Sequence, residues 1–210
     1  MTQTKKKYLA LIIYCLCFFA IWTVFELCIK ANIGSQLIKS GIIKTGIWVL
    51  PSILLIHKYQ DTMKIGLKEM FITKVKWWRY LWVYTILIIW VLLGGFRRGF
   101  SFSLDPNELI IVLFVGITEE MAFRGWLLNA TIKDMPQWAA IFINALLFLA
   151  IHFPRWIQEG VFISVFTSLE FLGLIILSMV FSISFLKSKN LLIPITMHML
   201  YDLMTFMLLP

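Results

Sequence analysis

Glu119, Glu120 and Arg124 lie in an apolar run that begins near Leu109 and ends near Leu128. His152 closes a second apolar run, and His198 and Asp202 lie within a third. A charge at the centre of a membrane span costs about 2.5–3.5 kcal/mol on insertion scales. Groups placed there face a bundle interior or a water-filled cavity and are functional candidates by default. Carboxylates and imidazoles gathered in a polar pocket suit the activation of water. A carboxylate can take a proton from water attacking a carbonyl and pass it to the leaving amine. Neutral imidazoles can bind a metal that polarises the water. Alternatively, one imidazole positions the water while another group stabilises the oxyanion. Either route hydrolyses an amide at membrane depth.

Spacing separates the roles. Glu120 and Arg124 stand at i and i+4, share a helix face and can pair. Glu119 is turned about 100° away, so it is left for other work. His198 and Asp202 are again i and i+4, and the aspartate can orient the imidazole. Phe148 and His152 share one stripe. Asn144 reads as interhelical glue, and Glu170 is placed outside the pocket.

These side chains need a scaffold of apolar helices. Hydropathy predicts spans at 8–29, 45–57, 80–93, about 109–130, 137–153, 171–186 and 191–209. An eighth is predicted if 155–170 dips into the membrane. The second span is also compatible with an earlier start near Ile42, with Lys44 snorkelling to the interface. The segment 58–79 mixes six basic residues with apolar ones and reads as an amphipathic stretch on the membrane surface. Asp105-Pro106-Asn107 is a helix start signal for the fourth span. The fold class is thus all-α, a polytopic bundle of about seven or eight spans. Residues 1–210 form a single membrane domain, and 109–209 carry the motif core.

Composition agrees. Of 210 residues 60% are hydrophobic and only 14% charged, and the mean hydropathy is +0.88. The net charge of +8 belongs to loops between spans and not to a nucleic-acid surface. Lys and Arg, 19 in all, favour the side of the N-terminus, which places that terminus in the cytoplasm. Lys, Ile and Phe usage suits a low-GC bacterial plasma membrane. Cys15, Cys17 and Cys28 have no metal-ligand spacing and read as small buried apolar residues.

Three motifs in order carry a family resemblance. Glu119-Glu120-Met121-Ala122-Phe123-Arg124 is similar to the EExxxR motif of the CPBP intramembrane proteases. These comprise the type II CAAX prenyl endopeptidases and the bacterial Abi proteins, with bacteriocin-processing and bacteriocin-immunity members. Phe148 to His152 resembles the family's FxxxH, and His198 to Asp202 its HxxxN or HxxxD. The resemblance covers about 109–209. It implies an intramembrane endopeptidase with Glu119 as general base and His152 helping to activate water. His198 and Asp202 would stabilise the oxyanion or join a metal site, with Glu120, Arg124 and Phe148 in support. A zinc ion held by Glu119, His152 and His198 and a metal-free glutamate mechanism are both compatible with it. Asp202 stands where the prenyl endopeptidases often have Asn; as a carboxylate it must be neutral or must orient His198.

The implied partner is a membrane-embedded or lipid-associated peptide or protein, with the bilayer and without nucleic acid. The alternative is a bacteriocin-immunity or regulatory membrane protein that acts by binding alone. A proton-coupled transporter predicts an inverted repeat, and the sequence has none.

Overall fold

A computed structural model describes residues 2–103 and 105–209. Among them there is no strand. Nine helices follow in order: α1 (Gln3–Asn32), α2 (Leu37–Thr62), α3 (Glu69–Ile72), α4 (Trp77–Arg98), α5 (106–131), α6 (Gln137–Gln158), α7 (Phe162–Thr167), α8 (Glu170–Ser188) and α9 (Leu192–Leu208). Five of them, α1, α2, α4, α6 and α8, are long and apolar enough to cross a membrane. The length of α5 is also sufficient, but Glu119, Glu120 and Arg124 interrupt its apolar character. The 17 residues of α9 sit at the lower limit for a span. The last piece of α6, Phe153–Gln158, and the short α7 pack together through Trp156, Val165 and Leu149. Neither is long enough to cross.

The outer surface is apolar, as lipid requires. Leu9, Ile12, Ile13 and Leu16 of α1 and Ile86, Ile89 and Leu93 of α4 are exposed. Cys17 and Cys28 are exposed too. The expectation that all three cysteines are buried is therefore wrong for these two, which share α1's outward stripe.

Local sequence signals set the helix ends. Asp105 caps α5: its carboxylate accepts from the Asn107 N–H at 2.8 Å, and its own N–H donates to Glu108 at 3.0 Å. Pro106 occupies the first turn, where no intrahelical donor is needed. α6 breaks after Ala150 and resumes at Phe153 with Pro154 in its first turn, so His152 stands at the break. Gly116 lets α5 approach α9. A Cβ there would meet Met199 Cγ at 2.7 Å and the Ile195 carbonyl at 3.3 Å.

α2 begins at Leu37, eight residues before the predicted span. Hydropathy misplaced it because Lys39 and Lys44 dilute the average. The segment between α2 and α4 is amphipathic, with Lys64, Lys68, Lys74 and Lys76 exposed, and only Glu69–Ile72 is helical within residues 63–76. Met63, Ile65 and Met70 are buried, and the stretch caps the bundle. Buried Asn129 holds it from α5, donating to the Ile65 carbonyl at 2.7 Å and accepting from the Ile65 N–H at 3.0 Å. Asn190 donates to the Thr73 carbonyl at 2.8 Å. Asn129→Leu should strand both Ile65 groups, at about 1–3 kcal/mol each. The thermal midpoint in detergent should fall by several degrees; an unchanged midpoint would contradict the capping role.

Cross-ties sort the helix ends onto two faces. On the N-terminal face, Lys7 pairs with Asp134 after α5, and Lys189 reaches Glu69 at 4.0 Å. Tyr59 near the end of α2 donates to the Lys6 carbonyl. On the opposite face, Arg98 at the end of α4 pairs with Glu170 at the start of α8. The Ser101 N–H donates to the Leu208 carbonyl at the end of α9. The long helices therefore alternate in direction.

Candidate active site

Side chains of α2, α5, α6 and α9 converge on one cavity of about 420 Å³. Glu119, His152, His198 and Asp202 all line it, with Phe148 in its wall. Residues separated by up to 83 positions thus meet in one space, helped by the close approach of α5 and α9 at Gly116.

Glu120 and Arg124 lie behind the cavity, both with no exposed surface. They pair at 3.0 Å, as their spacing predicts. Arg124 also donates to the Ser178 carbonyl at 2.9 Å and to its hydroxyl at 2.8 Å, and its guanidinium stacks over Phe148. α8 thereby enters the support of the site through a serine that no motif marks. The other task of Glu120 is to orient a histidine: Glu120 Oε1 lies 2.9 Å from His198 Nδ1. An ionised carboxylate can only accept, so Nδ1 donates. His198 Nε2 then faces the cavity, 3.6 Å from Asp202 Oδ2 and 3.9 Å from Glu119 Oε2. Asp202 is thus beside the cavity-facing nitrogen, and the residue that fixes the ring is Glu120.

His152 is fixed by its own helix. Its Nδ1 lies 2.9 Å from the Phe148 carbonyl, which can only accept, so Nδ1 carries the proton. In the neutral ring Nε2 is left as an acceptor. Phe148 packs against this ring at 5.2 Å and against His198 at 6.0 Å between centroids, so it spaces the two imidazoles. Asn144 donates to the Phe123 carbonyl at 2.8 Å and accepts from Ser182, tying α6 to α5 and α8.

Glu119 is not left without a countercharge. Lys44 of α2 reaches it at 2.6 Å, and both side chains are 7% exposed. The ammonium lies over the Trp48 ring at 4.4 Å and near Trp22 at 5.4 Å. Lys44 therefore does not snorkel. Its stem and charge turn inward because a buried carboxylate and two aromatic faces are better partners than the interface. A lysine eight residues inside an unrecognised helix was the signal available in the sequence.

Residues 106–204 match the family described as Type II CAAX prenyl endopeptidase Rce1-like. Every motif residue of the cavity falls inside that segment. This segment of the chain is similar to CAAX-type membrane proteases. Neither the curated proteins nor the solved structures contain a significant match to the chain. The family segment begins at the α5 N-terminus, so Lys44, which reaches Glu119 from α2, lies outside it.

Among the described residues no three His, Cys, Asp or Glu side chains are grouped to hold an ion. Glu119 Oε1 is occupied by an ammonium, which would repel a divalent cation bound to the same carboxylate. As arranged here, Glu119, His152 and His198 do not form a three-ligand cluster for an ion.

Arg124→Leu should leave Glu120 a buried carboxylate without its guanidinium, held only by His198, at a cost of up to about 3–5 kcal/mol. The double variant Glu120→Leu/Arg124→Leu should recover most of that stability, since an apolar pair replaces an ionic one. It should still lose function, because His198 loses its orienting carboxylate. Equal destabilisation in both variants would contradict the pairing.

Proposed function

We propose that this protein is an intramembrane protease that hydrolyses a peptide bond of a membrane-embedded or lipid-associated peptide with water activated by Glu119. The single observation that carries the reading is the shared cavity. One charge-paired carboxylate, two imidazoles with fixed ring orientation and Asp202 border the same space inside an apolar bundle.

The reaction follows from the donors and acceptors. Glu119 Oε1 is engaged by Lys44, which leaves Oε2 as the base. Water loses a proton to Oε2 as its oxygen attacks the carbonyl carbon. Nε2 of His152, an acceptor, holds the second water proton and so sets the direction of attack. The carbonyl becomes a tetrahedral oxyanion. In the protonated ring, His198 Nε2 is a side-chain donor for it, flanked by Asp202, with Glu120 holding the far nitrogen. The C–N bond then breaks, and Glu119 returns its proton to the leaving nitrogen. The products are a new C-terminal carboxylate and a free amine. Processing of a bacteriocin-like peptide, or immunity to one, is the biological setting that the similarity to Abi proteins supports.

Purified protein in liposomes should cleave such a peptide, and no step uses a metal. Prolonged dialysis against a chelator should leave the rate within about twofold. Loss of cleavage on chelation, restored by added zinc, would overturn the metal-free reading.

A further inference from the structure

We infer that the peptide reaches Glu119 from the outer side of the membrane, opposite the N-terminus. The inference rests on the peptidase reading above for its substrate and on the fold for its direction.

The cavity is a funnel with a defined mouth. Its deep end is Glu119, His152 and His198. From there two polar stripes lead outward along adjacent helices. One is Trp22, Glu26 and Lys30 on α1; the other is Lys44, Ser40 and Gln36 on α2. Each repeats every four residues, the spacing that keeps side chains on one helix face. Both end at the C-terminal end of α1 and the N-terminal end of α2. Arg155 and Glu159, at the end of α6, complete the rim. The Glu26–Lys30 and Arg155–Glu159 pairs, each at 2.7 Å, border the opening. All these helix ends lie on the face that carries the Arg98–Glu170 and Ser101–Leu208 ties. The face that holds Lys7, Asp134, Glu69 and Lys189 is sealed by residues 63–76, with Ile65 and Met70 buried.

Charge sets which face is inside. Of the 19 Lys and Arg residues, two are internal, Lys44 and Arg124. Twelve lie on the sealed face: Lys5–Lys7, six from Lys58 to Arg79, Lys133, Lys187 and Lys189. Five lie on the mouth face: Lys30, Lys39, Arg97, Arg98 and Arg155. Removing buried Lys44 from the loops sharpens the bias, and the basic face is cytoplasmic by the positive-inside rule. The sealed face therefore meets the cytoplasm, and the mouth opens outward. Water and an extended peptide at the outer surface have a polar path to Glu119.

A cysteine-labelling experiment in intact cells tests this. Cys15, Cys17 and Cys28 are first replaced by Ala. Glu159→Cys and Gln36→Cys then mark the mouth, and Lys187→Cys marks the sealed face. A membrane-impermeant maleimide should label both mouth positions at least tenfold faster than Lys187→Cys in intact cells. Permeabilisation should bring Lys187→Cys to a comparable rate. Faster labelling at Lys187→Cys, or equal labelling of both faces before permeabilisation, overturns the inference. The two mouth variants serve as alternates should one fail to accumulate. Labelling needs no cleavage, so an inactive purified protein would remove the peptidase reading and leave the direction of access intact.

Discussion

Lys44→Met should reduce peptide cleavage by about 100-fold or more, the scale of a lost general base, while most of the protein still inserts. Methionine preserves the unbranched stem between Trp22 and Trp48 and removes only the ammonium. Glu119 then stands in a buried site without its countercharge, a situation that costs about 3–5 kcal/mol. It can escape that cost by binding a proton, and a protonated carboxyl cannot take one from water. The variant should therefore lose both stability and rate. Lys44→Met combined with Glu119→Gln separates the two effects. The double variant should regain thermal stability over Lys44→Met, because no charge is stranded, and should remain inactive. A cycle of the four proteins should show coupling of more than about 1 kcal/mol in stability, as expected of side chains in contact. Additive effects would mean that the 2.6 Å contact does no energetic work.

Glu119→Gln is the second large effect. The amide keeps the volume and can still accept from Lys44 through its oxygen, so the fold should persist. The base is gone, and with it about 10³–10⁴-fold of rate. By comparison, Glu120→Gln should act through His198. Its amide oxygen can still accept from Nδ1, so its effect on cleavage should be smaller than that of Glu119→Gln. A reversed order would assign the base to the wrong carboxylate.

The polar centre was legible because charges in apolar runs are conspicuous. Glu119, His152, His198 and Asp202 each interrupt a hydrophobic segment, and each lines the cavity. The Glu120–Arg124 pair followed from helical spacing alone, and the Asp105 cap from its turn chemistry. Pairings across the chain left no such trace. Lys44 and Glu119 are 75 residues apart, and a lysine near a predicted helix end has a sufficient explanation in snorkelling. The second task of Glu120 was hidden for a related reason. His198 has Asp202 one turn away on its own helix, which made the local partner look like the orienting one. The geometry instead gives Nδ1 to a residue 78 positions distant. In residues 63–76 the alternation of basic and apolar residues shows an amphipathic stretch but not whether its backbone is a helix or an irregular cap. What decides between them is whether buried Asn129 and Asn190 can satisfy the unpaired backbone, and no periodicity encodes that.

In the proposed reaction Glu119 delivers water to a peptide bond inside the membrane. The most direct test of this is product analysis by mass spectrometry, with protein in liposomes and a membrane peptide, in water enriched in oxygen-18. Wild-type protein should yield two fragments, with one heavy oxygen in the new C-terminal carboxylate. Glu119→Gln protein, reconstituted to the same level, should yield neither fragment. Intact peptide with the wild type, or labelled fragments from the Glu119→Gln variant, would contradict the account.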